Sequence, residues 1–529
     1  MDDAVEKSAM RKIYLRLLPF AILSYLLAYI DRINGSFAAL TMRGDLKMSA
    51  AEYGFAVGTF YWGYFIFEVP SNIVLEKVGA RLWIARIMIS WGILAGVTAC
   101  VTGATSFGIA RFLLGVAEAG FFPGIVLYFT YWFPTYHHAR IVSGFLVGLP
   151  IAVAAGAPIS TALLGLNGLF GLSGWQIMYI AEGIPTVIIG LVTLFVLTDR
   201  PAQATFLTDA EKAWLTAKLA VEREAKEAVR KFSFLEGMFT PKALLLALNY
   251  FGIVVASLGI LFFVPQMIKS IGVTDNMTVG WLTMIPYISG GIGLVGWGLV
   301  SDRMNERRWN LLAACVVSAI GLVIAGLTIG TWWAMVGLSI ATFGFYGSKG
   351  PFWALPPMVM TGTAAAASIA WINSIGNLGG FFGPWYVGVI KDWSGSYAGG
   401  LYGLAFLCVM SAIVAAVCAP SAERLEWSPE QCITRMQYFV RWLALAIGGA
   451  IIIEITRQLG GSLYLLGLFY LAMVVAQMLF AIQRLHDLGE SGWCSVLLLI
   501  PLFNGLLLIA LFFLPGRISD RSLNSLARA

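Results

Sequence analysis

Six ionisable side chains interrupt long apolar runs of the sequence: Asp31, Arg32, Arg86, Arg111, Glu118 and Lys349. A charge at the centre of a bilayer costs about 2.5–3.5 kcal/mol on insertion scales, so groups kept there face a wet cavity and usually have a task. Acids beside bases suit one kind of chemistry. A guanidinium holds a carboxylate until an arriving anion takes the guanidinium over, and the released carboxylate then gains from binding a proton. Anion and proton occupancy become linked.

Spacing limits which pairs can form. Asp31 lies 15 residues beyond Arg16, about 22 Å along a helix, hence deep in the first apolar run. Asp31 and Arg32 point about 100° apart, so one can hold a neighbouring helix while the other looks into a central cavity. Arg111 and Glu118 share a helix face but stand about 10 Å apart along the axis, too far for a direct pair. Both can line one wet passage at different depths.

The composition says what positions these groups. Hydrophobic residues make up 59% of the 529 and charged residues 12%, with a mean hydropathy of +0.82. A soluble domain carries roughly 25% charge, so lipid is the solvent for most side chains. The net charge of +6 comes without a dense basic block, which argues against nucleic acid. The six cysteines, Cys100, Cys315, Cys408, Cys418, Cys432 and Cys494, have no paired spacing, so neither a disulfide framework nor a metal site is expected. His137, His138 and His486 fall in loops, which disfavours haem. No nucleophile constellation or phosphate-cradling loop is present either, so the chain is not expected to be an enzyme, and no cofactor is expected.

At about 20 apolar residues per crossing, the chain up to Pro420 holds twelve expected spans. They fall near 14–41, 51–75, 82–103, 107–133, 140–165, 176–198, 243–268, 278–300, 310–329, 332–359, 366–390 and 399–419. The first run lacks a small-residue cleavage site and is read as a retained span. Between the sixth and seventh spans, a polar stretch carries Leu207, Trp214, Leu215 and Leu219 on one side of an amphipathic surface helix. With the N-terminus inside, the inner loops hold nearly all of the Lys and Arg, and the outer loops only Arg43, Lys47, Lys269 and Lys391. The expected organisation is all-α, with a six-helix bundle over 1–198, a cytoplasmic linker over 199–242 and a second six-helix bundle over 243–425.

A duplicated bundle should show one signal twice. After span eight comes GLVSDRMNERR over 298–308, and after span two NIVLEKVGAR over 72–81. Both place an acid and then bases in a short inner loop, where they can dock helix ends and open or close as the bundles rock. Glu76, Arg81, Asp302 and Arg303 are therefore the expected gating residues. The second loop resembles the G-x-x-x-D-R-x-x-x-R-R motif of the major facilitator superfamily. The first departs from it at Asn72, Glu76 and Ala80. YIDRIN over 29–34, FEVPSN over 67–72 and RFLLGVAEAGFFPG over 111–124 resemble, more narrowly, the anion:cation symporter family of tartrate, phthalate and sugar-acid importers. The likeness covers about residues 10–425. It implies that Asp31, Arg111 and Glu118 serve proton coupling, that Arg32 binds the anion, and that Tyr29 and Tyr64 lend hydroxyls to the site. Arg86 and Glu68, near the inner ends of their spans, are assigned to packing and gating.

In the second half, FYGSKGPFWALPP over 345–357 suggests a helix broken around Lys349, since broken backbone at membrane depth is tolerated where it lines a cavity. Lys349, with Trp353 beside it, is then a second cationic contact facing Arg32, which would suit a dicarboxylate. Asn373 and Asn377, spaced i,i+4, are expected to present amides to the substrate. Beyond Glu423, apolar runs near 438–456, 463–482 and 493–514, with RLHDLGESGW over 484–493, resemble over roughly 432–516 a bacterial DUF805-type membrane module, which is assigned to 432–529. About three extra spans are expected there.

The expected function is proton-coupled symport of a small organic anion by alternating access, in the inner membrane, by a monomer whose partners are substrate, protons and the lipid bilayer. Alternatives are a membrane sensor that binds acids without moving them, and Na⁺-coupled or anion-exchange transport.

Overall fold

The computed structural model describes residues 2–418, apart from Val147, 228–240, Asn305 and 360–362, and beyond them only Gln477 and Met478. The expected DUF805-type module, with its three extra spans, lies outside the described residues, as do Arg230 and Lys231, the last charges of the linker run.

Alongside three single-turn 3-10 helices, sixteen α-helices make up the described part. They are α1 (Asp2–Asp45), α2 (Ala50–Val78), α3 (Ala80–Val97), α4 (Ala104–Glu118), α5 (Phe121–Thr130), α6 (Thr135–Leu146), α7 (Gly148–Leu164) and α8 (Gly174–Val196), then α9 (Asp209–Glu227), and then α10 (Pro241–Leu261), α11 (Val264–Lys269), α12 (Asn276–Met304), α13 (Arg308–Leu327), α14 (Trp333–Val359), α15 (Thr363–Ser394) and α16 (Ala398–Cys418). Among the described residues, eight helical stretches are long and apolar enough to cross a membrane by length and composition alone. Chain reversals put the N-terminus, the α2–α3 loop, α9 and the α12–α13 loop at one end, here called the linker end. The α1–α2, α3–α4 and α7–α8 connections lie at the far end.

The two halves use one packing scheme. In the first, α1 packs on α7 and α8, α2 on α4, and α3 on α8; in the second, α10 packs on α15 and α16, α12 on α14, and α13 on α16. Reading the spans in order, these are the same pairs, and the halves meet through exchanged partners, α2 with α15 and α7 with α12.

Part of the α2–α15 seam is bare backbone, flanked by the Phe55–Phe381 and Trp62–Phe381 ring pairs. A Cβ placed on Gly58 would lie 2.9 Å from the Phe381 Cα, and Gly54 and Gly388 meet the backbones of Pro384 and Ala50 at least as closely. Glycine is what lets two helix axes approach this far. At the far end of the seam, the backbone N–H groups of Ala50 and Ala51 donate to the Asp392 carboxylate at 3.0 and 2.7 Å. An anion at a helix N-terminus is favourable there.

α9 is the amphipathic surface helix read from the sequence. Leu207 and Leu215 are buried, and Trp214 and Leu219 pack against the core. Its first turn is tied to α1, where Lys12 Nζ donates to Glu211 at 2.9 Å and Ser8 Oγ at 2.7 Å. Thr208 and Glu211 cap each other's backbone N–H groups. Burial of the Glu211 carboxyl opposes its ionisation, but Lys12, Ser8 and the Thr208 N–H outweigh burial and lower its pKa to about 2.

Three expectations need correction. Span seven, expected near 243–268, is divided between α10, which ends at Leu261, and α11, which starts at Val264. Span four is not one helix, because α4 ends at Glu118 and α5 starts at Phe121, with Gly120 between them at φ +85°. That left-handed conformation suits glycine and would strain other residues. Span ten, in contrast, is not broken: α14 runs unbroken through Gly347, Gly350 and Pro351. Packing of α12 and α13 along it holds the helix where sequence punctuation alone suggested a break, as neighbours do for proline-bearing membrane helices.

Candidate functional site

The charged groups gather inside the first half. Asp31 and Arg32, adjacent on α1, diverge as helix geometry requires. Asp31 is 2% exposed and accepts from Trp91 Nε1 on α3 and from Asn34 Nδ2, both at 2.9 Å. Asn34 is a bridge, because its Oδ1 accepts from Arg111 Nη2 at 3.1 Å. Arg111 also donates to the Tyr179 hydroxyl of α8 at 2.8 Å. This buried cluster ties α1, α3, α4 and α8 together.

Arg32 turns the other way. Its Nε donates to Glu118 Oε1 at 2.9 Å, and its Nη2 reaches the same oxygen. Its guanidinium stands 5.4, 5.5 and 5.3 Å from the ring centroids of Tyr29, Phe60 and Tyr64, within cation–π range. Glu118 is fully buried, whereas the Arg32 side chain is 20% exposed. The base is thus the reachable member of the pair. Glu118 is also the last residue of α4, immediately before the break at Gly120. Its second oxygen, Oε2, has no partner among the described residues.

Arg111 and Glu118 do not pair with each other, as their spacing required. Tyr29 is half-buried and Tyr64 buried, and both meet Arg32 through their ring faces.

From the second half, Asn373 Nδ2 and Ser374 Oγ of α15 donate to the Glu68 carboxylate of α2 at 3.3 and 2.9 Å. Glu68, assigned from the sequence to packing and gating, therefore hydrogen-bonds across the line between the halves. Ser374 was not anticipated. Asn377 is half-buried one turn beyond Asn373. Lys349 is half-buried with its ammonium 4.5 Å from the Tyr346 ring centroid. Trp353 packs on Tyr250 with ring centroids 5.0 Å apart.

The loop residues separate into two kinds. Asp302 pairs with Arg307 Nη1 at 2.5 Å, and the same nitrogen donates to Ser301 Oγ at 2.9 Å. Arg303, Glu76 and Arg81 are exposed. At the α2–α3 loop the acid that engages the helix start is Asp199, which accepts from the Arg81 backbone N–H at 2.9 Å and lies over Gly79. Arg86 is exposed and stacks on Trp83 at 4.6 Å.

Glu182 was missed altogether. It sits on α8 at 7% exposure, accepts from Ser160 Oγ of α7 at 2.7 Å, and its Oε2 has no partner among the described residues. The signal was in the sequence: an acid in the apolar run from Ile177 to Ile189 meets the rule that flagged Asp31 and Glu118.

Helix order, exchanged pairing and the inner-loop motif agree with a sequence match. Residues 21–384 match the family model described as Major Facilitator Superfamily. The chain belongs to that superfamily. Residues 427–522 match a second model, described as a protein of unknown function, DUF805. An Agrobacterium vitis protein named "Putative tartrate transporter" is 46% identical over 422 residues, covering 80% of this chain and 97% of its own. The inner membrane transport protein RhmT of Escherichia coli K12 is 35% identical over 416 residues, covering 78% and 96%. Among solved structures, a D-xylose-proton symporter superposes with a TM-score of 0.61 at 16% identity, over 78% of this chain and 99% of that one. That likeness speaks for the fold alone. This superfamily member is a multi-pass membrane transporter and not an enzyme.

Proposed function

We propose that this transporter is a proton-coupled symporter that imports a small organic anion, a dicarboxylate such as tartrate or a sugar acid, across the inner membrane by alternating access. The observation that carries the reading is Arg32, partly exposed and ringed by Tyr29, Phe60 and Tyr64, with Glu118 buried behind it. A substrate carboxylate that approaches Arg32 competes with Glu118. Once displaced, Glu118 is a buried carboxylate without its base, and binding a proton relieves that cost. Anion and proton then travel together.

Asp31, Arg111 and Asn34 hold the helices around the exchange site and share its charge. Tyr29, Tyr64, Asn373 and Asn377 orient the substrate, and Lys349 beside Trp353 receives a second carboxylate. Asp302 and Arg303, with Glu76 and Arg81, govern closure at the linker end. On this reading the linker end and the N-terminus face the cytoplasm, the functional unit is a monomer, and the region beyond residue 432 adds about three spans as a separate module. The tartrate assignment is supported by the Agrobacterium vitis relative's name and extent of identity.

Proteoliposomes carrying the purified full chain test the proposal. An inward acid gradient should drive accumulation of tartrate above its external concentration, and dissipating the gradient should abolish it. Binding without accumulation would instead make the protein a sensor. Accumulation that follows Na⁺ or a counter-anion and ignores pH would replace the coupling ion.

A further inference from the structure

Among the described residues of the spans, four carboxyls are buried, Asp31, Glu68, Glu118 and Glu182, and two guanidiniums, Arg32 and Arg111, lie among them. The surroundings of the acids are unequal. Glu118 has Arg32, and Asp31 has the Trp91 and Asn34 N–H groups with Arg111 one bridge away. Glu68 accepts from two donors of α15. Glu182 has only neutral donors, the Ser160 hydroxyl and the nearby Asn34 amide, and its Oε2 has no hydrogen-bond partner among the described residues. A buried carboxylate left in that condition neutralises itself by taking up a proton.

We propose that Glu182 is a proton-binding site in its own right, distinct from Glu118 and served from the far end of the molecule. Its position supports both parts. Glu182 lies eight residues into α8, about 12 Å from the far end, while Glu118, 14 residues into α4, lies about 21 Å from it. The groups that act on Glu182 are Asp31 from α1, Arg111 from α4 and Tyr179 from α8 itself, with Asn34 between them. The sides contributed by α3 and α7 bring Trp91 and Ser160, which do not titrate. A proton on Glu182 is therefore one hydrogen-bonded cluster away from Asp31.

Access follows from the neighbour of Ser160. Thr161 packs against Gly280 and Met277 of α12, where the two halves meet. Glu182 thus sits one residue behind an inter-half seam. Parting of α7 from α12 during alternating access brings Ser160 and Glu182 to water on the far side, where Glu182 exchanges H⁺ with the medium. Its carboxylate gains one proton and loses the same one, with no other bond changed.

This inference rests on the proton-coupled reading, and its test separates the two. Infrared difference spectra between acid and alkaline pH, recorded on the detergent-purified full chain without substrate, should show a protonated-carboxyl C=O band. Because other carboxyls titrate too, the site is read as one component of the band. That component should vanish in Glu182→Gln, remain in Glu118→Gln, and shift in its titration midpoint in Ser160→Ala, which stands in should Glu182→Gln fail to fold. A band undiminished in Glu182→Gln, or a midpoint unmoved by Ser160→Ala, overturns the site. In proteoliposomes with tartrate as probe, the ratio of acid-driven uptake to tartrate exchange should fall at least tenfold in Glu182→Gln. A wild-type ratio and pH profile in that variant would make Glu182 structural. Failure of wild-type protein to respond to pH sinks the coupling reading, while the infrared result still decides whether Glu182 holds a proton.

Discussion

The two halves repeat one helix-packing scheme and fill it differently. Buried in the first are Asp31, Glu68, Arg111, Glu118 and Glu182; the polar groups buried among the described residues of the second are Asn, Ser and Thr, among them Asn249, Ser348 and Ser374. One duplicated architecture has been divided into a charged lobe and a neutral one. Charge exchange needs acids and bases close together in a low-dielectric setting, and it gains nothing from being built twice. Apart from the half-buried Lys349, the second lobe supplies donors without net charge, which can meet a substrate or a Glu68 carboxylate equally well.

That division can be broken first at Arg32. Arg32→Ala should weaken tartrate binding at least 30-fold, equivalent to about 2 kcal/mol, because it removes a charged donor and strands Glu118. Calorimetry on purified protein measures it, and full affinity would take Arg32 out of the site. Glu118→Gln comes next. Exchange of labelled tartrate should persist while pH-driven accumulation falls at least tenfold, and unchanged accumulation would move the proton elsewhere in the charged lobe.

Smaller effects are expected from the neutral lobe. Ser374→Ala removes one of two hydrogen bonds to Glu68 while Asn373 still donates, a net loss of about 1 kcal/mol, so transport rate should change by roughly fivefold. Lys349→Ala sharpens the comparison further. It should cost a dicarboxylate several-fold in affinity and a monocarboxylate of similar size almost nothing, and equal losses would remove Lys349 from substrate contact. The smallest effect lies outside both lobes. The lowered pKa of Glu211 means that its tie to Lys12 contributes stability above about pH 4.3, the unfolded-state value. That contribution is lost as pH falls through about 2. Thermal unfolding of Lys12→Ala should differ from wild type at neutral pH and converge with it in strong acid.

Most of the charged lobe was legible because hydrocarbon makes a lone ionisable residue conspicuous. Asp31, Arg32, Arg111 and Glu118 were all identified in this way, and helix geometry alone separated Arg111 from Glu118. The same geometry places Asn34, three residues on, beside Asp31 but could not name the other partners, since Trp91 and Tyr179 come from helices whose rotation is set by packing. Glu182 was overlooked despite an equally clear signal. The punctuation of Gly and Pro was a poorer guide than charge. It suggested a break at Lys349, where neighbouring helices keep α14 continuous, and gave no priority to Gly120, where φ is positive. Local propensity proposes a break, and tertiary contacts decide whether it occurs.

The glycine seam between α2 and α15 has a mechanical consequence. Where surfaces touch through bare backbone they interlock little, so along that stretch they can part or slide with only the flanking ring pairs, such as Phe55–Phe381, having to separate. The resistance to separation is then spread over many weak dispersion contacts and concentrated at two polar clasps, Asp392 on the first turn of α2 and the Asn373 and Ser374 donors on Glu68. A joint of that kind is shaped for repeated motion.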